Sequence, residues 1–206
     1  MVNHVVCTAG HVDHGKSTLI HALTGTDPDR WTEEKDRGLT IDLGFAQFEL
    51  PSGNTVSCID VPGHERFIRN MLAGVGTVDS CIFVVAANEG WKPQSEEHLR
   101  ILDLLGVSSG IVVLTKIGLA DSELCDLAEL EVVDHLDGTF LSAAPIVRVD
   151  ALSGLGLDTL VAAIDSVLAN TPTNLDSGRP RLWVDRVFAA KGSGTVVTGT
   201  LGGGSF

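Results

Sequence analysis

The 206-residue chain is long enough for one well-buried domain and the start of a second. With 44% apolar and 20% charged residues it has the balance of a globular protein rather than a disordered one. Its formal net charge of −13 repels a phosphate backbone, so this stretch alone is a poor nucleic-acid binder, and an RNA partner would need basic surface from other parts of a longer protein.

The longest apolar runs are too short to span a bilayer, and Met1-Val2-Asn3-His4 leads straight into the first strand. A signal peptide does not fit there, so a cytoplasmic location is expected. Cys7, Cys58, Cys81 and Cys125 form no C-x-x-C pair, and the first three lie in apolar strand-like runs. Buried thiols are expected there, not disulfides or a zinc site.

Val2 to Thr8 is valine-rich and reads as a buried strand; Thr18 to Thr24 carries Leu19, Ala22 and Leu23 at helical spacing. Between them stands Gly10-His11-Val12-Asp13-His14-Gly15-Lys16-Ser17, which fits G-x-x-x-x-G-K-[ST], a phosphate-binding loop. A strand–loop–helix setting is what that motif requires, because amide N–H groups at a helix start bind the anion. Lys16 would reach the β- and γ-phosphates, and the Ser17 hydroxyl would take a position on Mg²⁺.

Gly25 to Asp29 is a turn-rich break, followed by the polar segment Arg30 to Ile41. Phe45 to Leu50 and Val56 to Ile59, joined by Pro51-Ser52-Gly53-Asn54, predict a β-hairpin. Cys81 to Ala87 predicts a strand and Glu96 to Leu105 a helix. Ile111 to Leu114 is a strand ending at Thr115-Lys116, and Ser122 to Asp134 a helix capped by Ser122. Pro145 to Val149 is a short last strand, and Leu157, Leu160, Val161, Ile164, Val167 and Leu168 mark one face of a closing helix. The alternation implies an α/β fold with a mostly parallel six-stranded sheet, one antiparallel strand and helices on both faces. Residues 1–170 would form this domain. Asn170 to Pro180 is linker-like in composition, with the break placed at 171–180. In 181–206, Leu182 to Phe188 and Gly194 to Thr200 read as the incomplete first strands of a β-barrel domain.

Ligands of such sheets bind beyond the carboxyl ends of the strands, where the phosphate loop, Asp60 and Lys116 would meet. Asp60 follows a strand and precedes Val61-Pro62-Gly63-His64. Its carboxylate can hold a Mg²⁺-bound water, and the Gly63 N–H can meet the γ-phosphate. Thr40, closing the polar segment, is the candidate second hydroxyl on Mg²⁺, in a segment that a γ-phosphate would order. His64 could orient or polarise the attacking water.

Gly10–Ser17, Arg37-Gly38-Leu39-Thr40-Ile41, Asp60–His64 and Pro93-Gln94 with Glu97-His98 resemble the GTPase domain of translation elongation factors (elongation factor Tu-like). Within that superfamily the chain is similar to the selenocysteine-specific elongation factors. The similarity lies in Ala22 to Arg30, in Thr40 to Ala46, in Thr115-Lys116, and in Ser193 to Thr200, which resembles the opening of the family's barrel domain. The resemblance implies a P-loop GTPase that uses GTP and Mg²⁺, with slow intrinsic turnover completed by the ribosome. It further implies delivery of selenocysteinyl-tRNA at recoded UGA codons through the full-length factor, an mRNA hairpin gripped by a C-terminal region, and a monomer. Val12 and Leu39 would form an apolar gate beside His64. Asp13 would contact a monovalent cation, and Thr18 the α-phosphate. Two rival readings remain: another GTPase of the superfamily, such as a sulfate adenylyltransferase or initiation-factor subunit, or a nucleotide-binding module without meaningful catalysis.

The base side departs from the family pattern. An Asp is expected two residues after the lysine, but Thr115-Lys116-Ile117-Gly118 has glycine there. The next base motif, usually Ser-Ala-Leu, reads Asp150-Ala151-Leu152. Asp150 is therefore expected to supply the lost carboxylate from the neighbouring loop, with Asp121 a weaker substitute; the rival reading makes Asp150 a surface residue and guanine selectivity weak.

Overall fold

The computed structural model describes residues 2–28, 40, 43–62, 78–171, 178–192 and 194–204. Leu39, Gly63 and His64 lie outside the described residues, as do most of the polar segment before Thr40 and most of the linker. The elements are β1 (Asn3–Ala9), α1 (Lys16–Thr24), β2 (Gly44–Glu49), β3 (Thr55–Asp60), β4 (Ser80–Ala86), α2 (Pro93–Leu104), β5 (Gly110–Thr115), α3 (Ser122–Leu136), β6 (Ile146–Arg148) and α4 (Leu157–Ala169). A hairpin of β7 (Arg181–Ala190) and β8 (Gly194–Gly202) follows.

The main sheet has the order β2-β3-β1-β4-β5-β6. β2 pairs antiparallel with β3, and every other pairing in it is parallel. The short Pro51–Asn54 connection forces the antiparallel pair, since a tight turn can only reverse the chain. The crossovers through α2 and α3 then allow β4, β5 and β6 to run parallel.

Alternation along the strands sorts the core into two layers. Cys81, Phe83 and Val85 of β4, with Val112 and Leu114 of β5, pack against Leu99 and Leu102 of α2 and Cys125, Ala128 and Val132 of α3. Ile82, Val84, Ile111 and Val113 face the other way, against Leu19 and Ile20 of α1 and Leu160, Ile164 and Leu168 of α4. Because both faces are covered, every residue of β4 and β5 is buried, which is why their sequences run apolar without a polar alternation. All four cysteines are buried and unpaired to one another, as expected. Among the described residues no helix is long and apolar enough to cross a membrane.

α1 and α2 begin earlier than the sequence expectation, at Lys16 and Pro93 rather than Thr18 and Glu96, and the cap of α3 also differs. Asp121, not Ser122, caps α3: its carboxylate accepts the Leu124 N–H at 2.8 Å. An aspartate one position earlier reaches the third helical N–H, and its negative charge also suits the positive end of the helix dipole.

Candidate nucleotide-binding site

The phosphate loop leaves β1 at Gly10 and enters α1 at Lys16, with Gly15 in the left-handed region at φ 83°. Gly10 has φ 126°, and a Cβ there would stand 2.2 Å from the Val84 carbonyl oxygen. Only glycine lets the chain turn this close to β4. Asp13 also lies in the left-handed region, at φ 63°.

Two side chains of α2 hold the loop from outside: the Gly10 N–H donates to His98 Nδ1 at 3.1 Å, and the Val12 N–H to Gln94 Oε1 at 3.2 Å. Since Nδ1 accepts, the His98 proton sits on Nε2. Thr115 Oγ1 donates to the His14 carbonyl at 2.6 Å, tying the loop to the end of β5. His14 itself points inward, fully buried, with Nδ1 3.3 Å from the Val84 carbonyl and Nε2 4.0 Å from the Glu89 carboxylate. Burial, then the positive charge of His11, lowers its pKa to about 4, so the ring is neutral. His11 packs edge-on against it, with its own pKa lowered by burial and by Lys16.

Lys16 is nearly buried and donates to the carbonyls of Gly10 at 3.1 Å and His11 at 2.8 Å. The ammonium therefore lies inside the loop curve, beside the amide N–H groups that open α1, where an anion gains from both.

The cation candidates converge. Ser17 Oγ lies 2.7 Å from Thr40 Oγ1 and donates to Asp60 Oδ2 at 2.6 Å. A hydroxyl has one proton, so Thr40 must donate to Ser17, and Ser17 to Asp60. Asp60 is fully buried at the end of β3, and Thr8 on β1 steadies it by donating to Oδ1 at 2.7 Å. Thr8 Oγ1 also accepts the Val61 N–H at 3.1 Å, fixing how the chain leaves β3. Two hydroxyls and one carboxylate are hard oxygen donors that fit Mg²⁺.

On the base side, Lys116 takes the left-handed conformation at φ 57° and pairs with Glu89 at 3.0 Å. Burial opposes ionisation of Glu89 and is the largest single influence, but the hydrogen bond and charge of Lys116, together with His14 and Lys92, outweigh it and hold the pKa below its ordinary value. Gly118 lies in the single turn Ile117–Leu119. A Cβ built on Gly118 would be 2.9 Å from Asp150 Oδ2 and 3.2 Å from Asp150 Cγ. Asp150 is set by a tight turn after β6: its N–H donates to the Leu155 carbonyl and its own carbonyl accepts from Gly154, both at 2.9 Å. Ala151 is half-buried against the core, whereas Leu152 is exposed. Thr18, in the first turn of α1, is exposed.

Sequence reasoning assigned no role to Thr8, Gln94 or His98. Gln94 and His98 carried a signal, lying four apart on one helix face; Thr8 carried none, being a threonine within an apolar strand.

Residues 2–170 match the family described as Elongation factor Tu GTP binding domain. The selenocysteine-specific elongation factor of Desulfomicrobium baculatum is 48% identical over 196 residues, covering 95% of this chain and 31% of that protein. A crystal structure of a bacterial selenocysteine-specific elongation factor superposes with a TM-score of 0.92 at 45% identity, over 99% of this chain and 35% of the other. The translation initiation factor 2 gamma subunit of Thermococcus onnurineus is 38% identical over 220 residues, covering 94% of this chain and 53% of that protein. The chain thus spans about a third of the length of the selenocysteine-specific factors it matches. Because that family match covers residues 2–170, the chain belongs to the elongation factor Tu GTP-binding domain family of translational GTPases.

Proposed function

We propose that this chain is the GTP-hydrolysing switch of an elongation factor that carries selenocysteinyl-tRNA to the ribosome at recoded UGA codons. The observation that carries the switch is the hydroxyl chain from Thr40 through Ser17 to Asp60, because it joins the end of the segment before β2 to the cation site. A γ-phosphate and its Mg²⁺ can then bias that segment between two arrangements. The cargo follows from the identity to selenocysteine-specific factors, which exceeds that to the initiation-factor subunit.

When bound, Mg²⁺ would supply charge neutralisation to the nucleotide phosphates. Ser17 and Thr40 each offer it a hydroxyl, and Asp60 acts through water. Lys16 offsets phosphate charge, Thr18 meets the α-phosphate, and Gly63 donates an N–H to the γ-phosphate. His64 orients the attacking water for in-line displacement, behind the gate of Val12 and Leu39. Asp13 contacts a monovalent cation, and Thr115, Lys116, Ala151, Leu152 and Asp150 border the base. Residues 1–170 form the nucleotide domain, 171–180 a linker, and 181–206 the opening of a barrel that contributes to tRNA binding in a longer, monomeric, cytoplasmic protein whose further C-terminal region grips an mRNA hairpin.

The test is phosphate release from labelled GTP by the complete factor, with and without ribosomes, beside selenocysteinyl-tRNA and ordinary aminoacyl-tRNA binding. Ribosome-stimulated hydrolysis that falls about 100-fold in His64→Ala, with a preference for the selenocysteinyl form, is expected. Equal binding of both tRNAs would overturn the cargo, and unstimulated hydrolysis the switch.

A further inference from the structure

The turn after β6 and the turn after β5 meet at one point: Asp150 places its carboxylate where a side chain on Gly118 would begin. We infer that Gly118 and Asp150 form a reciprocal pair, in which Asp150 is the base-reading carboxylate and Gly118 is the vacancy that admits it. This departs from the usual arrangement, where one loop provides both the lysine and the acid, and it rests on the GTP reading above.

The chemistry at this point calls for an acceptor. Guanine presents two adjacent donors, N1–H and the 2-amino group, and an ionised carboxylate is acceptor-only with two oxygens that match them. Adenine offers a lone pair at N1 and no 2-amino group, so the same carboxylate would be left facing an acceptor. The position suits the base: Thr115 ties the end of β5 to the phosphate loop, and Lys116 and Gly118 follow directly. Nearby acids are committed elsewhere, Asp121 to the Leu124 N–H and Glu89 to Lys116.

Asp150 is braced but not consumed. Ser153 Oγ donates to Oδ2 at 2.6 Å, while Oδ1 takes no hydrogen bond from any other described residue. The turn holds the backbone at both sides of Asp150, so the carboxylate is aimed before a ligand arrives. A side chain on residue 118 would push the Asp150 carboxylate out of its present place. Its Cβ would stand closer to Oδ2 than real Cβ atoms come, so one residue must yield. An acid on residue 118 and the Asp150 carboxylate in its present position therefore exclude each other.

The test compares GDP, xanthosine diphosphate and ADP by calorimetry with Mg²⁺ on the 206-residue chain, after thermal melts confirm folding. Xanthine carries an oxo group in place of the 2-amino group, so an amide at residue 150 would donate to it. Asp150→Asn, nearly isosteric, should weaken GDP by about 100-fold and make xanthosine diphosphate the preferred ligand. Asp121→Asn should leave the GDP to xanthosine diphosphate ratio unchanged. Gly118→Asp should weaken GDP binding by setting two carboxylates together, and Gly118→Asp with Asp150→Ser should restore it. An unchanged base preference in Asp150→Asn would overturn the inference while leaving the nucleotide site intact. Absence of any nucleotide binding by the unaltered chain would instead remove the GTP reading, and this inference with it.

Discussion

Lys16 and His14, two residues apart, meet opposite fates in the same loop. The Lys16 ammonium donates to two carbonyl oxygens of the loop. His14 is sealed against β4, where burial makes the protonated ring costly. Its pKa of about 4 in the folded chain lies below the ordinary 6.5, so the unfolded chain binds more protons between those values. Stability is fully present above about pH 6.5 and declines as pH falls toward 4, by about 3 kcal/mol from this residue. NMR titration of the ring carbons should show a His14 midpoint near 4; a midpoint near 6.5 would show that the ring is exposed. Asp60 illustrates the same economy of burial. A fully buried carboxylate persists because Thr8 and Ser17 each donate to it.

Helix α2 does more than cover one face of the sheet. Its buried side includes His98 beside Leu99 and Leu102, and that histidine accepts from Gly10 at the start of the phosphate loop. His98→Leu keeps the apolar volume but leaves the Gly10 N–H without this acceptor, which should cost about 1–3 kcal/mol in denaturant melts. It should also weaken nucleotide binding measurably, whereas a purely structural role would lower stability alone. Periodicity made α2, the hairpin and α4 legible in the sequence, since each has one dominant apolar pattern and clear turn residues at its ends. It could not separate Asp121 from Ser122 as the α3 cap, because both side chains can cap and only the chain's path decides. Nor could it reveal that α2 touches the loop, because His98 and Gly10 lie 88 positions apart and nothing local records their contact.

The whole domain works by bringing strand ends together. β1, β3 and β5 deliver the phosphate loop, Asp60 and Thr115 to one edge of the sheet, and the parallel registers fix their relative heights. That convergence was readable from the motifs, since each ends a predicted strand in an alternating α/β pattern. The approach of Asp150 to Gly118 was only half readable: the missing acid was visible, but the distance between two loops 32 positions apart depends on β5–β6 pairing. The opposite sign of the site and the molecule matters as well. A net charge of −13 surrounds the loop, so on the proposed function an anion would be held by directed amides, Lys16 and a divalent cation rather than by the general field. Isothermal titration calorimetry of GDP and GTP into the folded chain, with and without Mg²⁺, tests this most directly. Saturable heat that strengthens with Mg²⁺ and falls about 100-fold in Lys16→Ala is the expected result. No heat from any guanine or adenine nucleotide with Mg²⁺ present, on material shown to be folded, would contradict it.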